Sequence, residues 1–189
     1  MQLENRFDVP ASPETAWTLL NDVPAVLPCM PGAELVDVVD GDAWKAKLRV
    51  RLGPISLQFL ADLSRDRTEP RERRAVISVD AREARGRGSA RATITSTVEE
   101  ATVGSRVSIV TELALRGPLA QYGRPIVAPV AERLTEEFAA CISRKLAATD
   151  EEDPQDDGPI TSSSEAPSPI GLRMLLGAFW RSLTRRRAG

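Results

Sequence analysis

The fold is decided by residues 119–148, which read LAQYGRPIVAPVAERLTEEFAACISRKLAA. Apolar side chains recur there at gaps of three and four, at Val127, Val130, Leu134, Phe138, Cys141, Ile142 and Leu146. This spacing predicts one long amphipathic helix with charged residues on its opposite face. Because Pro125 and Pro129 come early in the stretch, we expect regular helix to begin near Ile126. Such a helix needs a broad apolar surface to pack on.

Strand-like runs that could supply this surface precede the helix. Six runs between residues 35 and 115 alternate apolar and polar side chains, and a seventh lies at residues 3–9. Between the run at residues 3–9 and the run that begins at residue 35, Ser12-Pro13 predicts the start of a short helix. A second short helix is predicted to begin near Asp22. The chain therefore reads β-α-α-β(6)-α. We expect an α+β fold in which a curved antiparallel sheet wraps around the long C-terminal helix.

The predicted inner face of the sheet carries unusually small side chains: Ala46, Ala61, Ala75, Ala81, Ala90 and Ala92. Protein interiors pack to a density of about 0.74, so small residues under a single helix favour an apolar ligand cavity. Strong curvature, or a close approach of the helix, would instead fill that space. The predicted lining residues are Leu48, Leu57, Phe59, Ile77, Ile94, Tyr122, Val130, Leu134 and Phe138.

The composition argues against catalysis. The chain has no histidine, and so lacks the commonest general base and metal ligand. Cys29 and Cys141 give neither zinc spacing nor a disulfide framework, and we expect two small buried side chains in a reducing cytoplasm. We predict no catalytic residue, no metal site and no cofactor. A cyclase or hydrolase would depend on Thr111, Tyr122 or a buried carboxylate with a raised pKa.

The last forty residues divide into two segments of opposite charge. Residues 150–169 carry seven acidic and no basic side chains, together with several Ser and Pro, which is typical of a disordered linker. Residues 170–183 have a helical apolar pattern, but about 21 Å of helix cannot span a hydrocarbon core of about 30 Å. The pattern favours a helix that lies on an anionic membrane. The predicted membrane-binding residues are Leu172, Leu175, Leu176, Phe179, Trp180, Arg181, Leu183, Arg185, Arg186 and Arg187.

Other roles for this tail helix stay open. It could dock into a groove of a partner protein, or pack on its own domain. Three clustered arginines without a basic domain do not predict nucleic-acid binding.

Four stretches resemble the family of carbon monoxide dehydrogenase G subunits, within the START-like (SRPBCC) helix-grip superfamily. They are residues 9–14 (VPASPE) with Trp17, residues 27–32 (LPCMPG), residues 52–55 (LGPI) with Phe59, and residues 117–124 (GPLAQYGR). The resemblance implies a helix-grip fold. It also implies a non-catalytic accessory protein of a molybdenum hydroxylase-type dehydrogenase that acts at the membrane.

We therefore expect a helix-grip domain at residues 1–148, a linker at 149–169 and a basic amphipathic helix at 170–187. The expected partners are molybdenum-containing dehydrogenase subunits, an anionic membrane surface, and a lipophilic small molecule such as a quinone or a lipid. The expected location is peripheral, on the cytoplasmic face of the cell membrane. The alternative function is an assembly or maturation chaperone of the dehydrogenase.

Overall fold

A computed structural model describes residues 1–53 and 55–150. The predicted linker beyond residue 150 and the predicted tail helix lie outside these residues. The domain boundaries drawn above therefore stay a prediction. None of the described helices is long and apolar enough to cross a membrane.

Within residues 1–53 and 55–150, seven strands form one antiparallel sheet, as the alternating pattern predicts. They are β1 (Gln2–Val9), β2 (Ala33–Asp40), β3 (Ala43–Leu52), β4 (Ile55–Glu69), β5 (Arg74–Glu83), β6 (Ser89–Glu100) and β7 (Ser105–Arg116). Their spatial order is β1-β7-β6-β5-β4-β3-β2. Strands β2 to β7 follow one another as hairpins, and β1 closes the order by pairing with β7. The sheet therefore has two edge strands, β1 and β2.

In the part of the chain that the structure describes, three α-helices accompany the sheet: α1 (Pro13–Asn21), α2 (Val23–Val26) and α3 (Arg124–Asp150). The hydroxyl of Ser12 accepts a hydrogen bond from the Thr15 N–H at 3.2 Å, which confirms the predicted cap of α1. The long helix begins later than residue 119. Gly117 takes a left-handed φ of 67°, and residues Gly117–Gln121 form a separate 3-10 turn that buries Leu119 against the sheet.

The apolar stripe of α3 forms part of one core cluster. Phe138, Ile142 and Leu146 are buried there, together with side chains from α1, α2 and the end of the sheet where β6 turns into β7. The rings of Phe7 and Phe138 meet edge to face, with centroids 6.1 Å apart. The part of the stripe closer to the start of α3 is only half-buried, including Val130 and Leu134.

The prediction of two unpaired cysteines is wrong, because Cys29 and Cys141 form a disulfide. Cys29 is buried in the 3-10 turn Leu27–Cys29 that follows α2, and Cys141 lies on α3, with a Cα–Cα distance of 5.4 Å. The pair is separated by 112 residues, and no local spacing could reveal it. Packing of the turn against α3 brings the two thiols together. The expectation of a reducing compartment, which rested on two unpaired cysteines, therefore loses that support.

Candidate functional site

The small residues of the inner face align into a single row across the sheet. The strand registers pair Ala46 with Ala61, Ala61 with Ala81, and Ala81 with Ala90. Four adjacent strands thus contribute one methyl group each along a line perpendicular to their direction. We call these four residues the alanine row. A row of small side chains leaves a shallow trough unless another element fills it.

Larger side chains stand on both sides of the alanine row. Leu48 and Phe59 are paired on the side towards the β3–β4 turn, and Leu63 and Val79 are paired on the other side. Above the row, the buried Leu119 packs into the same apolar cluster as Phe59, Ala61 and Ala81, and Tyr122 packs against it. The trough is therefore partly covered by the 3-10 turn that precedes α3.

The nine predicted lining residues fall into three groups. Leu57 and Phe59 are buried in this cluster, with Leu48 and Tyr122 packed against it, so the structure brings these four together. Phe138 instead belongs to the core cluster of α3.

The remaining four predicted residues are half-buried. Ile77 and Ile94 are cross-strand partners on β5 and β6, whereas Val130 and Leu134 lie on α3. Among the described residues, none of the four belongs to either packed cluster. Apolar side chains on the inner face of the fold therefore retain accessible surface between the two clusters.

Two clefts among the described residues lie apart from the nine predicted lining residues, although the second borders Ala46 and Ala61 of the alanine row. One, of about 210 Å³, lies between β1 and α3 and is lined mainly by polar side chains such as Glu4, Glu132 and Glu136. The other, of about 330 Å³, lies over β3 and β4, where Val36 and Leu60 are exposed. Neither is lined by the nine predicted residues.

A buried carboxylate, Glu83, closes the inner face at the end of β5. One of its oxygens accepts hydrogen bonds from the backbone N–H groups of Arg85 at 2.9 Å and Arg87 at 3.1 Å. The guanidinium of Arg87 lies 3.6 Å from the other oxygen. Burial by itself would raise the pKa of Glu83, but these donors outweigh it and hold the pKa below its ordinary value.

Glu83 is not among the predicted site residues, although the sequence carries a signal for it. The strand alternates Ala75, Ile77, Val79 and Ala81 on its inner face, and the next inward position is a glutamate. A charged residue in phase with a buried row indicates a partner that the sequence does not name. Here the partner is the β5–β6 turn.

A model of one protein family matches residues 6–147 of the chain. The family is described as the G subunit of carbon monoxide dehydrogenase (CoxG). No curated protein sequence matches the chain at a significant level.

Solved structures of low sequence identity share the fold. A conserved protein from Geobacillus kaustophilus has a TM-score of 0.69 at 17% identity, with 79% of this chain and 97% of that chain covered. An aromatase/cyclase from a Streptomyces species has a TM-score of 0.56 at 12% identity, with 78% and 93% covered. Norcoclaurine synthase from Thalictrum flavum has a TM-score of 0.54 at 16% identity, with 78% and 86% covered. At these identities the likeness concerns the fold alone.

Proposed function

Because the chain belongs to the CoxG family of carbon monoxide dehydrogenase proteins, we propose that it is a non-catalytic accessory protein of a molybdenum-containing dehydrogenase. In this proposal the domain holds a lipophilic molecule on its inner face. The tail brings the assembly to the cytoplasmic face of the membrane. A quinone is the ligand that fits best, because it would link the dehydrogenase to the respiratory chain.

The observation that carries the ligand proposal is the alanine row beneath half-buried apolar side chains. The row removes side-chain volume from the middle of the inner face, and Ile77, Ile94, Val130 and Leu134 stay accessible around it. A ligand that covered these side chains would gain about 25 cal/mol for each Å² of apolar surface removed from water. An apolar ring with a polyisoprenoid chain matches such a surface.

The inner face supports an enzyme less well. A general acid here would need a carboxyl group whose pKa is raised, whereas the pKa of Glu83 is lowered: one oxygen accepts two backbone hydrogen bonds of the adjacent turn, and the other lies 3.6 Å from the Arg87 guanidinium. Glu83 therefore acts as a structural anchor of the turn in this proposal. The similarity to a cyclase and to a synthase adds only the shared fold.

The ligand proposal is tested by extracting full-length protein, purified from cells with an intact respiratory membrane, into organic solvent for mass spectrometry. We expect a quinone or another polar-headed lipid in stoichiometric amount. Ala90→Phe, which fills the half-buried end of the row, should lower the bound amount at least about fivefold. Ala114→Phe makes the same change at an exposed position of the neighbouring strand β7 and should leave it unchanged. Extracts that repeatedly contain no lipophilic molecule would refute this part of the proposal.

The membrane proposal is tested by flotation of full-length protein with liposomes that contain phosphatidylglycerol. A double substitution of the predicted apolar face, Phe179→Asp with Leu183→Asp, should strongly reduce flotation, because two charges must enter the interface. The control is Gly177→Asp with Thr184→Asp, which adds the same charge to the predicted polar face. If both doubles float like the unaltered protein, the tail does not recruit the chain to lipid.

A further inference from the structure

Six exposed arginines lie at one end of the described fold. We call them the arginine rim: Arg49, Arg51, Arg82, Arg85, Arg116 and Arg124. They come from β3, from β5 and the turn after it, from the last residue of β7, and from the first residue of α3. They are therefore distant in sequence.

The strand register places these segments at the same end. The β3–β4 turn and the β5–β6 turn both lie there, because the side chain of Arg87 in the second turn reaches the carbonyl of Ser56 at the start of β4. Ser89 pairs with both Arg82 and Arg116, so the end of β7 lies beside the second turn. The 3-10 turn Gly117–Gln121 then leads directly to Arg124.

In the described part of the chain, the positive charges of the arginine rim are not paired with acidic side chains. Within residues 1–53 and 55–150, none of its six arginines makes an ion pair. Arginines elsewhere in the domain do, as in Arg91–Asp80 at 2.7 Å and Arg106–Asp8 at 2.8 Å.

Among the described residues, no acid near the rim forms an ion pair with it. Asp80, two residues before Arg82 on β5, pairs with Arg91 at 2.7 Å, and Asp62 lines the same cleft as Arg82. Glu83 is buried and engaged by the backbone of its own turn. Glu34 lies on the edge strand β2, opposite Lys47. The rim is therefore a concentrated positive surface that invites an anionic partner.

Exposed apolar side chains lie close to Arg124 of the rim in the sequence. Ile126 is 46% exposed on the first turn of α3, two residues after Arg124. Pro118 and Ala120 are exposed on the 3-10 turn that precedes it. Guanidinium groups beside exposed apolar residues are typical of surfaces that sit at the headgroup level of a bilayer.

We propose that the arginine rim is a docking surface for the anionic headgroups of membrane lipids, separate from the tail. The choice of a bilayer as partner rests on the proposed function. Guanidinium groups bind phosphate oxygens in a bidentate manner, and a rim spread over several segments matches many headgroups better than one groove matches one peptide.

The acidic stretch of the same chain is a less suitable occupant. It begins at the end of α3, and the 27 residues of that helix place its start about 40 Å along the helix axis from Arg124. With the random-coil dimensions that its composition predicts, a stretch of about twenty residues would reach only on the order of 25 Å. The stretch would have to extend along the whole helix to cover the rim.

The docked rim would bring the inner face close to the bilayer. Ala81 of the alanine row lies two residues before the end of β5, which corresponds to about 7 Å of strand. A lipophilic molecule that moves between the row and the membrane would then cross little water.

The experiment measures binding of full-length protein to vesicles of phosphatidylcholine with and without 30% phosphatidylglycerol, at low and at physiological ionic strength. The rim triple variant is R51Q/R82Q/R116Q, and the control triple is R6Q/R71Q/R144Q. The control arginines are also exposed and form no ion pair among the described residues, so both triples change the net charge equally. The tail triple R185Q/R186Q/R187Q is measured in parallel, and unfolding midpoints verify that every variant folds.

We expect the rim triple to lose on the order of 100-fold in affinity for the anionic vesicles, because each arginine near such a surface strengthens binding several-fold. The control triple should stay within about threefold of the unaltered protein. Higher salt should shrink the difference between rim and control. A rim triple that binds like the control triple overturns the proposal.

The tail triple separates this inference from the proposed function. If it binds like the unaltered protein while the rim triple does not, recruitment by the tail fails and the rim stands. The reverse pattern overturns the rim alone. A rim triple that binds anionic vesicles more tightly than the unaltered protein also overturns the proposal, since the rim would then be holding the acidic stretch.

A second pair of variants tests the apolar component. Ile126→Asp should weaken vesicle binding at least about fivefold. Val103→Asp, at a position that is 78% exposed in the β6–β7 turn at the opposite end of the sheet, should not. Equal effects of the two substitutions would count against the docking geometry.

Discussion

At the scale of single residues, Glu83 shows how a buried charge is stabilised without a catalytic role. Its carboxylate joins the end of β5 to the turn that follows, through the N–H groups of Arg85 and Arg87. Burial opposes ionisation, and the hydrogen bonds and the Arg87 guanidinium outweigh it, so the pKa falls below its ordinary value of 4.5. The ionised form is therefore the one that stabilises the fold.

This lowered pKa predicts the pH dependence of a Glu83→Gln variant. A carboxylate with a lower pKa in the folded state contributes its full stabilisation above its unfolded pKa and loses it as the pH falls through the folded pKa. Glu83→Gln should therefore have a lower thermal unfolding midpoint at pH 7, and the difference should shrink below about pH 4.5. Thermal unfolding between pH 3 and 7 measures this. Glu112→Gln, at an exposed position of β7, serves as the control. A deficit that stays constant down to pH 3 would contradict the assignment.

At the scale of elements, the β5–β6 turn depends on two glycines in different ways. Gly86 and Gly88 both have positive φ, at 73° and 127°. A Cβ at Gly86 would meet nothing within 4 Å, whereas one at Gly88 would overlap the carbonyl oxygen of Arg116. Gly88 thus allows the turn to lie directly against the end of β7.

Two alanine substitutions in this turn separate backbone strain from steric overlap. Gly86→Ala should cost about 1–2 kcal/mol of the free energy of unfolding, the penalty of a left-handed conformation. Gly88→Ala should cost at least about 1 kcal/mol more, because the backbones must also move apart. Urea unfolding of both variants tests this order. Equal costs would show that the turn and the end of β7 separate easily.

The disulfide ties the 3-10 turn after α2 to the long helix. It closes a loop of 112 residues, and cross-links of this span typically contribute about 2–5 kcal/mol by restricting the unfolded chain. The double variant Cys29→Ser/Cys141→Ser should lose that amount in urea unfolding. Reduced protein should match the variant. Two free thiols in the denatured, non-reduced protein would contradict the pairing.

At the scale of the whole molecule, the proposed division of labour can be tested in cells. Removal of residues 151–189 should release most of the partner dehydrogenase activity from the membrane fraction and uncouple it from respiration. Activity of the soluble dehydrogenase itself should persist. The measurements are fractionated dehydrogenase assays and substrate-dependent oxygen uptake. If the dehydrogenase remains membrane-bound and coupled, the chain is better explained as a maturation chaperone.

Local sequence patterns were sufficient to predict the strands and helices of the described domain. Period-two alternation specified the strands, the three-four spacing specified α3, and Ser12-Pro13 specified the start of α1, because each of these patterns is local. The family also followed from short motifs that lie along the chain. The prolines placed the start of regular helix near Ile126, close to the observed start at Arg124, but the sequence did not predict the separate 3-10 turn at Gly117–Gln121.

The contacts between residues distant in the sequence became known only from the folded structure. The alanine row exists because the registers of three neighbouring strand pairs align, and a shift of one residue in any strand would turn its alanine to the outer face. The disulfide and the arginine rim likewise join residues that are far apart in the sequence, through the packing of a turn on α3 and the coincidence of two hairpin turns with the end of β7. Local sequence patterns cannot predict these long-range contacts, because the contacts depend on how the hairpins align and where the helix packs.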